Sequence, residues 1–231
     1  MPDLARTALL LRTLLIVALC ADAGASVRAS DWKQQAVGFQ PAGRSEEISG
    51  KLMRPNGPGP FPALVLLHDC SGLGPYSSQW SERWALELVE QGYVVLMPDS
   101  FWPRGIKDGV CAASAEDQRR VDATVRAEDA YGALAYLKTL PYVDGTHVGV
   151  MGASHGGWTV MEAVLQDGFA AAVAFYPTCA APYGDWSTQR ANGIGTPVTE
   201  YHGIYHPQAP LLILIGEKDD WSLAEHCRHL V

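Results

Sequence analysis

Residues 146 to 158 read Thr-His-Val-Gly-Val-Met-Gly-Ala-Ser-His-Gly-Gly-Trp, and within them Gly152, Ser154 and Gly156 make a Gly-x-Ser-x-Gly pattern. A serine hydroxyl is a weak nucleophile that becomes reactive when a strained turn exposes it and a neighbouring base accepts its proton. Side chains at 152 and 156 would collide across so tight a turn, so bare backbone suits both positions. The five-residue pattern alone also arises by chance in loops, and its surroundings are what give it meaning. An apolar run precedes it (Val148, Val150, Met151), and apolar residues at helical spacing follow it (Trp158, Val160, Met161, Val164, Leu165), which predicts strand, sharp turn and helix. The free N–H groups and positive dipole end of that helix favour negative charge developing on a substrate oxygen.

Acyl transfer at Ser154 also needs an acid, a base and oxyanion donors. Asp219 and Asp220 follow the apolar run Leu211-Leu-Ile-Leu-Ile215; Asp219 is the expected acid, while Asp220 suits a turn or helix cap. The expected oxyanion donors are the backbone N–H of His155, next after the nucleophile, and that of Cys70 in the loop after Leu67. Of the seven histidines, none stands where the base is expected. His226 and His229 fall just after the acid, His155 belongs to the turn, and His202 and His206 precede the last apolar run. His68 ends its strand beside the oxyanion position, where it touches substrate or, as is more usual for such a histidine, holds the loop by hydrogen bonds. Glu225, His226 and His229 have helical spacing but no further ligand motif, so no metal site is expected.

Positioning these groups requires strands that end together. Ala63-Leu-Val-Leu-Leu67, Tyr93-Val-Val-Leu-Met97, the run before Ser154, Ala170-Ala-Ala-Val-Ala-Phe-Tyr176 and Leu211 to Ile215 are continuous apolar runs of the kind buried on both faces of a parallel sheet. Helical stretches separate them. One has Trp80, Trp84 and Leu88 on a face and Gly92 as its stop; another runs from a capping box at Ser114 and Asp117 through Val121, Val125, Leu134 and Leu137 to Pro141. The alternation predicts an α/β fold, a doubly wound, mostly parallel sheet with helices on both faces. Chemistry in such sheets gathers at the carboxyl ends of the strands, where segments 68–74, 152–156 and 216–221 all lie. Residues 31–60 read as a polar lead-in with an edge strand near Ile48, Gly50 and Leu52. Residues 178–209 read as a long irregular loop, whose Tyr183, Trp186, Tyr201 and Tyr205 shape a substrate pocket or pack the loop down.

Length and charge set the outer bounds. A chain of 231 residues with 48% apolar content fits one domain, expected over 31–231, and a net charge of -8 without a basic cluster argues against nucleic acid and anionic membrane surfaces as partners. Residues 1–25 have the form of a secretory signal peptide: Arg6 and Arg12, the apolar run Leu14 to Cys20, then small residues with cleavage sites after Ala23 or Ala25. The run is shorter than a spanning helix needs, so no stable membrane anchor is expected and the protein is expected to be secreted or periplasmic. Cys20 would leave with the signal, and Cys70, Cys111, Cys179 and Cys227 would remain of the five cysteines, an even set for an oxidising compartment with three pairings open.

Through His68-Asp-Cys-Ser-Gly-Leu73, Met97-Pro-Asp-Ser-Phe-Trp-Pro-Arg-Gly105, Gly149-Val-Met-Gly-Ala-Ser-His-Gly-Gly157 and Leu214-Ile-Gly-Glu-Lys-Asp-Asp-Trp221, the chain resembles the dienelactone hydrolase family of α/β-hydrolases from about Glu46 onward. The resemblance implies hydrolysis of a small-molecule ester or lactone through an acyl-enzyme, with no metal or organic cofactor. The best-known members carry cysteine at the elbow; serine here implies chemistry nearer an ordinary serine esterase. An arginine in the region of Arg104 binds a substrate carboxylate in some members, and an ion pair within the protein is the competing role for Arg104. The secreted branch implies pairing of Cys70 with Cys111 and of Cys179 with Cys227. The family's catalytic histidine follows one further strand, so the expectation is a domain whose last strand and helix, and its base, lie beyond Val231. The alternative is a non-catalytic relic or binding module without its general base.

Overall fold

The structure, a computed structural model, describes residues 32 to 191 and 198 to 231; the signal-peptide reading of residues 1–25 falls outside them. A seven-stranded sheet in the order β1-β2-β4-β3-β5-β6-β9 forms the centre. Its strands are β1 (Trp32–Phe39), β2 (Ile48–Pro55), β3 (Phe61–Leu67), β4 (Val94–Pro98), β5 (Val143–Ala153), β6 (Ala172–Phe175) and β9 (Leu211–Leu214). From β4 to β9 all neighbours are parallel, while β1 and β2 add an antiparallel edge. The helices are α1 (Trp80–Glu90), α2 (Ala115–Arg120), α3 (Ala123–Lys138), α4 (His155–Ala163) and α5 (Ala224–Leu230).

Strand side chains alternate between the two faces, and the core divides accordingly. Ala63, Val65 and Leu67 of β3 share one buried cluster with Ala130, Ala133 and Leu137 of α3 and Val160 and Met161 of α4. Leu66 of β3 packs in the other cluster, with Val95 and Met97 of β4 and Ala85, Leu88 and Val89 of α1. Helices therefore cover both faces, and the runs of β3 and β4 are apolar throughout because neither face meets water, whereas on β9, expected to be buried likewise, Leu212 and Leu214 are exposed. The pairing register brings the strand ends level: Leu67 stands opposite Gly152, Ala153 opposite Phe175, and Phe175 opposite Leu214.

Three departures from the sequence expectation have physical causes. Strand β1 was not expected; most of its positions are exposed, so no burial period marks it, and by pairing with β2 it makes the strand near Ile48, expected at the edge, an inner one between β1 and β4. The stretch from Ser114 to Lys138 is two helices. Ser114 caps the first as expected, accepting from the Asp117 N–H, but Val121 leaves helical geometry to bury itself against Phe101, Ile106 and Val110, and Asp122 caps a new helix by accepting from the Val125 N–H at 3.0 Å. The 178–209 region contains a hairpin of β7 (Ser187–Ala191) and β8 (Val198–His202). Its aromatics hold the loop down: Tyr183 donates to the Thr178 carbonyl, Trp186 Nε1–H to that of Cys179, and Tyr205 to that of Met161.

At Gly156 a Cβ would overlap the Leu67 carbonyl oxygen, whereas at Gly43 it would meet nothing and only the left-handed backbone (φ 72°) resists a side chain. Gly156→Ala is expected to lower unfolding free energy by about 3 kcal/mol, the upper end for overpacking. Gly43→Ala should cost about 1 kcal/mol. Urea unfolding of both variants checks the order.

Candidate active site

Ser154 joins the end of β5 to the start of α4 with φ 52° and ψ -117°, a region that a side chain adopts only under strain of about 1–3 kcal/mol. Two hydrogen bonds hold it there: its N–H donates to the Phe175 carbonyl at 2.9 Å, and its carbonyl accepts from the Trp158 N–H at 2.8 Å. A Cβ at Gly152 would lie 2.5 Å from the Gly156 carbonyl oxygen, so the turn closes only because that position is bare.

Ser154 lines a cavity of about 770 Å³ together with Cys70, His155, Trp158, Tyr176 and Asp219. Asp219 follows β9, and its Oδ1 accepts from the N–H groups of Trp221 and Ser222 at 2.9 and 2.8 Å. The turn-capping task that suited Asp220 thus falls to Asp219, one of whose carboxylate oxygens it occupies. Tyr176, in a second strained position (φ 37°), donates its N–H to the Leu214 carbonyl at 2.6 Å; burial and the carboxylates of Asp69 and Asp219 push its phenol up.

The oxyanion candidates sit on the two segments flanking Ser154. His155 opens α4, so its N–H has no partner within the helix. The loop carrying Cys70 is fixed on both sides: its carbonyl accepts from the Val110 N–H at 2.7 Å, and a disulfide joins Cys70 to Cys111. A second disulfide joins Cys179 to Cys227. This is the pairing that the resemblance implies and one of the three that the sequence alone allows.

His68 is buried and holds the loop. Its Nδ1 lies 2.8 Å from the Asp69 carbonyl, which can only accept, and its Nε2 lies 3.3 Å from the Ser100 N–H, which can only donate. The ring is therefore neutral with its proton on Nδ1. Burial and then the charge of Arg126 hold its pKa well below the usual histidine value, and the same causes bring His155 down to about 3. His226 meets the Tyr201 hydroxyl through Nδ1 at 3.0 Å, and His229 stacks on the same ring, so both are occupied by the hairpin.

Arg104 lies away from the cavity wall. Its Nη1 and Nη2 meet the two carboxylate oxygens of Asp129 at 2.7 and 2.8 Å, Glu46 takes a second contact at 2.6 Å, and the Ser100 carbonyl accepts from Nη1. The ion-pair role is the one its contacts support. The sequence reading passed over Arg126 and Asp129, which are both buried on the inner face of α3. The signal was present in the spacing: Arg126, Ala130, Ala133 and Leu137 recur at helical intervals, and a charge on an apolar stripe calls for explanation.

A parallel sheet flanked by helices, with a strained serine at the carboxyl end of a central strand, defines an α/β hydrolase. The chain belongs to the dienelactone hydrolase family, whose model matches residues 48–230. A protein of Synechocystis with the provisional name carboxymethylenebutenolidase is 29% identical over 136 residues, covering 56% of this chain and 54% of that one, so the chain spans about half the length of this relative. Two crystal structures share the fold. A protein of Klebsiella pneumoniae provisionally named a dienelactone hydrolase superposes with a TM-score of 0.63 at 16% identity, over 86% of this chain and 79% of its own. A dienelactone hydrolase-like promiscuous phosphotriesterase from metagenomic libraries gives 0.63 at 20% identity, over 86% and 74%. Among the described residues no helix is long and apolar enough to cross a membrane, and no cluster of side chains has the form of a metal site.

Two tests follow from the buried ionic groups. His155 stays neutral in the fold down to about pH 3 whereas an unfolded histidine is charged below about pH 6.5, so between these the unfolded chain binds more protons, and the buried His68 acts in the same sense. Stability is full above that window and falls as pH drops through it, by about 1.4 kcal/mol per pH unit for His155. Denaturant unfolding across the window should show this slope, with His155→Phe reducing it by one histidine's share. Removing Arg104 leaves Asp129, whose side chain is 0% exposed, without its bidentate partner, and Arg104→Met is expected to cost about 3–5 kcal/mol in the same measurement.

Proposed function

We propose that the protein hydrolyses a small-molecule carboxylic ester or lactone through an acyl-enzyme on Ser154, outside the cytoplasm and without metal or organic cofactor. The observation that carries this reading is the strained Ser154 opening into a cavity that also contains Asp219. The Ser154 Oγ attacks the carbonyl carbon as a base removes its proton; the carbonyl oxygen gains negative charge and is received by the N–H groups of Cys70 and His155. The tetrahedral adduct collapses, the alcohol or ring oxygen leaves with a proton, and water repeats the sequence on the acyl-serine. Asp219 is assigned to orient the base, through the carboxylate oxygen that the Trp221 and Ser222 amides leave free. The two disulfides support that location, since they suit an oxidising compartment. Arg104 is assigned to its ion pairs with Asp129 and Glu46 in place of a substrate carboxylate.

A second reading has its own observation. Among the described residues, His155 is the histidine that lines the cavity, and its Nδ1 faces Arg126 at 2.6 Å, so it offers Ser154 no free lone pair. A binding module that keeps the pocket without turnover would look the same. A fluorophosphonate probe and a chromogenic acetate ester separate the two. The hydrolase reading expects covalent labelling at Ser154, steady ester turnover, and a loss of at least about 10³-fold in kcat for Ser154→Ala. Unlabelled serine with no ester turnover would leave the binding reading standing, and turnover unchanged in Ser154→Ala would remove Ser154 as the nucleophile.

A further inference from the structure

Arg126 is a buried cation that none of the roles above uses. Its side chain is 0% exposed and, among the described residues, has no carboxylate in direct hydrogen bond. Nη1 meets Nδ1 of His155 at 2.6 Å, Nη2 donates to the His68 carbonyl at 2.7 Å, and Nε finds no acceptor among the described residues. The guanidinium carbon lies 5.1 Å from the centre of the Phe101 ring. A charge held out of water without a bonded counter-ion costs several kcal/mol, so an aliphatic side chain on this stripe of α3 would serve stability better than arginine does.

The two groups it holds lie on the two segments that flank Ser154. His68 follows β3 directly, two residues before Cys70, and His155 is the residue after the nucleophile. We propose that Arg126 is a positioning residue that clamps these segments together and fixes the His155 ring as a neutral Nε2–H donor on the side facing away from the guanidinium. The geometry stands by itself; its catalytic consequence rests on the acyl-enzyme reading.

A guanidinium only donates, so Nδ1 of His155 must turn its lone pair toward Arg126 and the ring proton must sit on Nε2. In that tautomer His155 cannot accept the Ser154 proton. It is a hydrogen-bond donor at the cavity wall, and the clamp sets the spacing between its own backbone N–H and that of Cys70. The fixed positive charge near the first turn of α4 acts in the same sense as the helix dipole, favouring an anion at the oxyanion position. The charged groups around the clamp leave this field in place. Asp129 is already neutralised by its bidentate pair with Arg104, while Asp69 and Asp99 reach Arg126 only through space.

Nitrogen-15 NMR of histidine-labelled wild-type protein reads the tautomer without any variant. The expected spectrum has His155 Nδ1 in the unprotonated range and Nε2 in the protonated range, unchanged from about pH 8 to about pH 5, where a free imidazole takes up its second proton. A His155 that titrates near the free value, or carries its proton on Nδ1, overturns the clamp whatever the activity is. Arg126→Lys and Arg126→Met, each checked for folding by circular dichroism, then test the consequence on ester turnover. Lysine keeps the charge but cannot bridge both partners, so kcat should fall about 10-fold; methionine should lose about 100-fold, with KM within about threefold in both. His155 should begin to titrate in the methionine variant. Unchanged kcat in both variants overturns the catalytic half. A wild-type protein that turns over no ester sinks the acyl-enzyme reading instead, and the NMR result alone then decides the clamp.

Discussion

The close approach of strand β3 to the turn after β5 is the constraint on which the site depends. Gly156 fits against the Leu67 carbonyl, Gly152 against the Gly156 carbonyl, and Gly157 against that of Phe175, contacts that a single methyl group at any of the three would break. Such closeness is sustained only by strands held at fixed spacing, and the two apolar layers on either face of the sheet provide that rigidity. The unfavourable backbone at Ser154 is thus a local debt offset by a core that does not itself touch substrate.

The same layers leave room for ions where apolar packing alone would have sufficed. Arg104 and Asp129 form a buried pair between the loop after β4 and α3, and Arg126 lies one helical turn from Asp129 on the same face. Buried pairs are poor sources of stability, and their value lies in direction: each bond fixes the rotation of a helix or the height of a loop to within a bond length. Helix α3 is in this sense the ruler against which the loops after β3, β4 and β5 are set.

Much of this was legible in the residues. The central strands announce themselves because burial on both faces makes them continuous apolar runs, and Ser154 because glycines must surround it. Asp219 could be assigned to the site from its place after a strand, but its second task as a turn cap could not, since Asp219 and Asp220 are chemically alike and only the backbone path separates them. Strand β1 was invisible because an edge strand in water carries no alternation. The break at Val121 was hidden for a different reason: Val121 and Asp122 are both tolerable inside a helix, and tertiary burial of the valine overrode local preference. Tyr183, Trp186 and Tyr205 offered two readings because an aromatic ring with a polar edge suits a pocket wall and a loop anchor equally well.

Each disulfide closes a long chain segment, 41 residues for Cys70 and Cys111 and 48 for Cys179 and Cys227. The second spans the hairpin of β7 and β8, strand β9 and the first half of α5. A protease that cut the backbone anywhere between Cys179 and Cys227 would therefore not release a fragment. Strand β9 and the Asp219 loop would stay tethered to the body of the domain through sulfur, still able to re-seat against β6. The crosslink turns a cut that would shed the Asp219 loop into a nick that the fold can survive.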